Sequence, residues 1–159
     1  GLFVTIVGGI IVGIALDKIK INRRTITISM TSRNYVSPYN SGSFVFNYSN
    51  NNGCFAIGQK EKIFTTKWSK ASNISIHAYS DSTDIDSIAL IKNVNDITNL
   101  DYIDADFSSR YRTAQIGDAI IWKNVNGFYA VTKIISIKDD SRGDSIDELE
   151  CQYVIFKRL

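Results

Sequence analysis

Residues 117–140 read GDAIIWKNVNGFYAVTKIISIKDD. Two apolar runs, rich in branched and aromatic side chains, flank Asn126-Gly127, a dipeptide that tolerates the positive φ of a tight hairpin turn. The runs are short and end in turn residues, so they read as paired strands. Further on, ELECQYVIF (148–156) alternates: Leu149, Cys151, Tyr153 and Ile155 fall on one side, Glu148, Glu150 and Gln152 on the other. That is the period of a strand with one buried face. Three such strands in succession predict an antiparallel meander.

The same signals recur upstream. SFVFNYS (43–49) puts Phe44, Phe46 and Tyr48 on one face, and NNNG (50–53) ends in Asn52-Gly53, a second hairpin signal before CFAIG (54–58). KIFTTKW (62–68), ISIHAY (74–79) and SIALI (87–91) follow as short runs separated by turns. RTITISM (24–30) also alternates, as a strand or as a stalk, while SRNYVSPYNSG (32–42) reads as linker. Residues 93–115 are polar and irregular and predict a long crossing connection, with a short helical turn capped by Asp96 as the alternative. Composition agrees with strands: 25 Ile against six Leu, eight Tyr, eight Phe and a single Pro, Pro38. Branched and aromatic side chains suit a pleated, half-buried surface. About eight short strands predict an all-β fold, an antiparallel β-sandwich of jelly-roll or Greek-key type, with a β-barrel as the alternative.

The N-terminal stretch GLFVTIVGGIIVGIALDKIKINRR (1–24) has two readings. A dinucleotide fingerprint needs three glycines in the pattern G-x-G-x-x-G. Aligning Gly8 and Gly13 with the first and third leaves branched Ile10 where the phosphate should approach, and no acid follows at the ribose position. The other reading is a membrane helix. Residues 1–16 carry no charge. They rise about 24 Å as a helix, short of the roughly 30 Å hydrocarbon core, unless Ile19 and Ile21 extend the span while Lys18 and Lys20 snorkel. Gly9 and Gly13 have the small-xxx-small spacing of packed membrane helices, which allows a homodimer. Residues 17–33 hold five basic residues against Asp17, a net of +4; the whole chain is +2, so residues after 33 carry −2. Lys18, Lys20, Arg23 and Arg24 thus form a membrane-surface cluster. Positive flanks stay in the cytoplasm, which predicts a single-pass protein of the bacterial inner membrane with a cytosolic β domain. The expected organisation is a membrane helix over 1–22, a basic linker over 23–42 and a β-sandwich over 43–159. A mildly acidic domain without a Lys/Arg stripe argues against nucleic acid as a partner.

The segments YSNNNG (48–53), FTTKWSKASN (64–73), NGFYA (126–130) and IKDDSRGD (137–144) resemble those of uncharacterised bacterial β proteins. The resemblance spans roughly residues 43–156. It implies a bacterial β module, often attached to a membrane helix, and carries no activity.

Candidate chemistry is sparse. His77, the single histidine, shares a face with Ser75 and Tyr79; a hydrolase needs a nucleophile and an orienting acid near it. Trp68, with Ser69, Lys70 and Asn73 beside it, has the composition of an aromatic platform with polar neighbours, against the reading of Trp68 as core. Trp68, Ser69, Lys70, Asn73 and His77 are therefore the candidate ligand-binding residues. The acids Asp139, Asp140, Asp144, Asp147 and Glu148 surround Arg142-Gly143-Asp144, but a loop counted from Asp139 does not meet the calcium-loop pattern, since Asp144 stands at the sixth position where that pattern needs Gly, so no metal is expected. Cys54 and Cys151 have no metal-ligand spacing and read as small buried hydrophobes, with a disulfide open to them in an oxidising compartment. The sequons at Asn47 and Asn73 matter only in a secretory compartment. No cofactor is implied. Three functions follow as expectations: a membrane-anchored module binding a ligand or protein without catalysis, a hydrolase using the Trp68–His77 region, or an outward-facing adhesion domain.

Overall fold

The computed structural model describes residues 35–100 and 105–156. The expected membrane helix with Gly9 and Gly13, the basic cluster Lys18, Lys20, Arg23 and Arg24, and the 24–30 strand lie outside the described residues. Among the described residues, no helix is long and apolar enough to cross a membrane.

The described chain is all-β, with two five-stranded sheets. Its strands are β1 (Val36–Ser37), β2 (Ser41–Phe46), β3 (Cys54–Ile57), β4 (Phe64–Lys70), β5 (Ser75–Tyr79), β6 (Ile85–Ile91), β7 (Tyr111–Gln115), β8 (Ala119–Asn124), β9 (Tyr129–Lys138) and β10 (Glu148–Phe156). Sheet A runs β1-β3-β4-β5-β7 and sheet B runs β2-β10-β9-β8-β6. Every pairing is antiparallel except β1 with β3. The meander of β8, β9 and β10 pairs as expected, and Leu149, Cys151, Tyr153 and Ile155 join the core between the sheets. Ile135 has no partner in the β9–β10 ladder, and this bulge lets both Ile134 and Ile137 face inward.

Three expectations are corrected. Residues 32–42 are not all linker: Val36–Ser37 pairs with Ala56–Ile57, and Ser37 is buried with its hydroxyl 2.7 Å from that of Tyr153. The Asn52-Gly53 turn does not close a hairpin, because β2 belongs to sheet B and β3 to sheet A. It arches between the sheets, with Asn51 and Asn52 at positive φ. Gly53 at φ +75° is required there, since a Cβ would stand 2.1 Å from the carbonyl oxygen of Trp68. The connection at 93–115 is also more than a crossing: its last five residues form β7, and its earlier part covers sheet B.

That cover explains a local pattern. Ile120 and Trp122 of β8 face the core between the sheets, while Ala119 and Ile121 face the opposite way into a second apolar cluster with Val131, Val154 and Phe156. Val94 and Ile97 close this cluster from outside, with Leu100 and Phe107 packed against it. Around β8, sheet B is buried on both faces, so β8 reads as a continuous apolar run instead of alternating. Asp118 anchors the connection, accepting hydrogen bonds from the Asn93 and Gln115 amides at 3.0 and 2.9 Å. Burial alone would raise the pKa of Asp118, but these two donors and the Lys92 ammonium at 3.3 Å hold it below the usual carboxylate range.

Candidate functional site

The outer face of sheet A contrasts with that of sheet B. Along β4, β5 and β7 the inward side chains other than Lys70 and Arg112 are buried and the outward ones are half-buried or exposed. Strand register arranges the outward residues in two rows: Ser69 lies opposite His77 and His77 opposite Thr113, while Lys67 lies opposite Tyr79 and Tyr79 opposite Tyr111. Side chains on one sheet face at adjacent positions are in reach of each other. Here they bond across the grid. Ser69 Oγ and the Tyr79 hydroxyl share a 2.8 Å hydrogen bond, and His77 Nδ1 lies 2.8 Å from Thr113 Oγ1. The three rings stand 5.9–6.4 Å apart between centroids, with His77 steeply inclined to both tyrosines. The Arg110 guanidinium sits 5.4 Å from the Tyr79 ring centroid, gripped by both carboxylate oxygens of Asp81 at 2.8 and 2.9 Å. Tyr111 is 49 % exposed.

The expected site residues divide four ways. Ser69 and His77 belong to this grid. Trp68 does not: it is 1 % exposed, and its indole Nε1 donates to Thr66 Oγ1 at 2.7 Å, so it presents no ring face to a ligand. Asn73 is exposed in the β4–β5 turn. Lys70 is carried away by the length of its strand. Because β4 continues to Lys70, its side chain shares the inward parity of Trp68, and at the sheet end it reaches the β9–β10 loop.

There the Lys70 ammonium stands 2.6 Å from Asp140 and 3.2 Å from both Asp139 and Asp147. The carboxylate oxygens of these three aspartates lie within 4.8 Å of one another, a spacing that suits a cation, and Lys70 supplies the charge. Asp139 also accepts from Ser141 Oγ and from Arg142 at 2.6 Å, and Asp147 from Ser49 Oγ and the Asp140 amide. The hydroxyl of Ser141, aided by Arg142 and Lys70, holds the Asp139 carboxyl well below its ordinary range. For Asp147 burial works the other way and is outweighed by Ser49, the Asp140 amide and Lys70. Hydrogen bonding to Asp140 first, then to the other two, pushes the Lys70 pKa up. The cluster ties sheet A to the β9–β10 loop of sheet B.

The grid does not pair its serine with a base. A nucleophilic serine needs a base in hydrogen-bond reach, and the base an orienting acid. Ser69 instead bonds the Tyr79 hydroxyl, and the bond at His77 Nδ1 is to a threonine hydroxyl. Cys54 and Cys151 are both free thiols; Cys54 lies on the outer side of sheet A and Cys151 is fully buried. Burial pushes both thiols up.

The sequence pattern does not reveal Tyr111 and Thr113. The inward partners in β7 are Ala114 and Arg112, so YRTAQ shows no apolar alternation. Arg112 donates to the Asp106 carbonyl at 2.8 Å, and its Nε is buried without a hydrogen-bond partner among the described residues. The one signal was the residue types: Tyr and Thr at alternate positions are strand formers. Comparison with protein-family models, with curated proteins and with solved structures returns no match for the chain.

Proposed function

We propose that this chain is a membrane-held recognition module that binds through the outer face of sheet A. The observation that carries the reading is the contrast between the two outer faces. The outer face of sheet B around β8 is covered by Val94, Ile97 and the residues packed with them, whereas sheet A carries His77, Tyr79 and Tyr111 on its outward side, with Tyr111 about half exposed. Tyrosine combines a large apolar ring with a polar tip, which suits a surface that alternates between wet and bound states. The internal hydrogen bonds of Ser69, Tyr79, His77 and Thr113 hold the side chains in place before binding, which lowers the ordering cost of association.

The membrane part of the proposal rests on sequence. An uncharged apolar run over 1–16 precedes a segment of net charge +4. Such a flank favours the cytosolic side and adds attraction to anionic lipid of about 1 kcal/mol for each basic residue near the surface. Anchoring confines the face to two dimensions near its ligand.

A thermal-shift screen of the full chain against sugars, nucleotides, peptides and divalent ions tests the binding face. A true ligand raises the unfolding midpoint by mass action, and Tyr111→Ala abolishes the rise. A ligand whose effect survives Tyr111→Ala and Thr113→Ala unchanged binds elsewhere and contradicts the assignment.

A further inference from the structure

We infer that the ligand of the sheet A face is a neutral oligosaccharide chain; the inference rests on the reading of that face as a binding surface. The outward positions of β4, β5 and β7 carry no aliphatic side chain and no carboxylate. A protein interface draws its energy from a desolvated apolar centre, and this face has none beyond its rings. A nucleic acid needs several Lys or Arg to neutralise phosphates. Of the two cations here, Arg110 is already paired through two bonds to Asp81, which leaves Lys67. An extended peptide would add a strand to the β7 edge, through backbone groups that point away from β5. That edge is occupied at both ends: the Tyr111 carbonyl accepts from Ser109 Oγ at 2.7 Å, and the Gln115 amide donates to Asp118 at 2.9 Å.

A pyranose fits what remains. Its C–H face packs on an aromatic ring, and its rim hydroxyls both donate and accept. The Ser69, Thr113 and tyrosine hydroxyls and the imidazole likewise offer donors and acceptors in turn. Rows running across three neighbouring strands, spaced roughly 4.8 Å apart, give a flat contact long enough for more than one sugar unit. No buried pocket is needed for a chain that lies along a sheet.

His77 reports directly, because it is the single histidine of the chain and stands within the grid. Its ring proton signals are followed by NMR in the full chain, held in a detergent without a sugar headgroup, as cellohexaose, chitohexaose or maltohexaose is added. The expected result is a saturable shift with at least one hexaose, little changed between 0.05 and 0.5 M salt, and weakened roughly tenfold or more by Tyr111→Ala. Tyr111→Phe keeps the ring and retains most of the affinity. Silence of His77 toward all three sugars overturns the glycan assignment. If a single-stranded DNA oligomer then shifts His77 in a salt-dependent way, the binding face stands and only the ligand class falls. If neither sugar nor DNA moves it, the face itself loses its support.

Discussion

The indole rings of Trp68 and Trp122 meet edge to face across the two sheets, 5.3 Å between centroids and 68° between planes. Each donates its Nε1 to a buried threonine on its own sheet, Trp68 to Thr66 and Trp122 to Thr132. The Thr66 hydroxyl passes the bond on to the Phe55 carbonyl at 2.6 Å. Both polar atoms of the largest core side chains are satisfied, so the pair contributes its packing without a desolvation penalty. Trp68→Ala is expected to cost about 3–5 kcal/mol, a large part of the 5–15 kcal/mol that holds a typical domain folded. Trp68→Phe costs less and leaves sheet A ligand binding unchanged. Chemical denaturation with a binding titration on the Phe variant checks both.

A second prediction separates two glycines. Gly53→Ala forces a Cβ to 2.1 Å from the Trp68 carbonyl oxygen, so the arch or β4 must move. Gly143 at φ +100° has open space around its Cβ position. Gly143→Ala therefore costs only the left-handed backbone penalty, roughly 1–2 kcal/mol, and Gly53→Ala costs more. Urea midpoints at constant slope measure the difference.

The depressed carboxylates of Asp118, Asp139 and Asp147 set the acid limit. A carboxyl whose folded pKa lies below its unfolded value stabilises fully above that value, about 3.9 for Asp, and loses the contribution as pH falls through the folded pKa. The loss therefore falls below about pH 4. Asp118→Asn and Asp147→Asn are each expected to lower the unfolding midpoint at pH 7 and to flatten its decline between pH 4 and 2. Lys70→Met removes the shared cation and raises the folded pKa of Asp139 and Asp147 toward the unfolded value, so less stability is lost on acidification and the loss is complete at a higher pH. Lys70 itself has a raised pKa, so its contribution persists through neutrality and is lost only in alkali, as pH rises through that value. Midpoint against pH for the four proteins is the measurement.

Membrane anchorage predicts that the full chain stays in the pellet after alkaline carbonate extraction, while a chain lacking residues 1–33 is released. For orientation, Val125→Cys places a thiol at a position 58 % exposed, in a Cys54→Ser background. A membrane-impermeant maleimide is expected to label it only after lysis. Labelling of intact cells reverses the orientation and supports the outward-facing alternative.

Strands with one buried face were legible because their alternation is a direct image of burial: β2, β4, β5 and β10 each show it. The Asn126-Gly127 hairpin was legible too. The Asn52-Gly53 turn misled because a turn dipeptide records local φ and carries no information on which sheet the next strand joins. β7 was hidden by Arg112, a charge at an inward position. The cover of sheet B was hidden because Val94, Ile97 and Phe107 are spaced irregularly, following a loop. In the grid, Ser69 and His77 were singled out from residue type, but Trp68 has the same composition whether it faces in or out. Only register decides, and register placed Tyr111 and Thr113, distant in sequence, beside His77.

The binding face is tested most directly by tyrosine nitration, which works whatever the ligand is. Tyr111 and Tyr39 are 49 % and 38 % exposed, and Tyr39 lies between β1 and β2, away from the grid. With nitration of the purified chain compared against nitration in native membranes, the account predicts that Tyr111 is protected in the membranes while Tyr39 reacts equally in both. Equal reactivity of Tyr111 in the two preparations would contradict it.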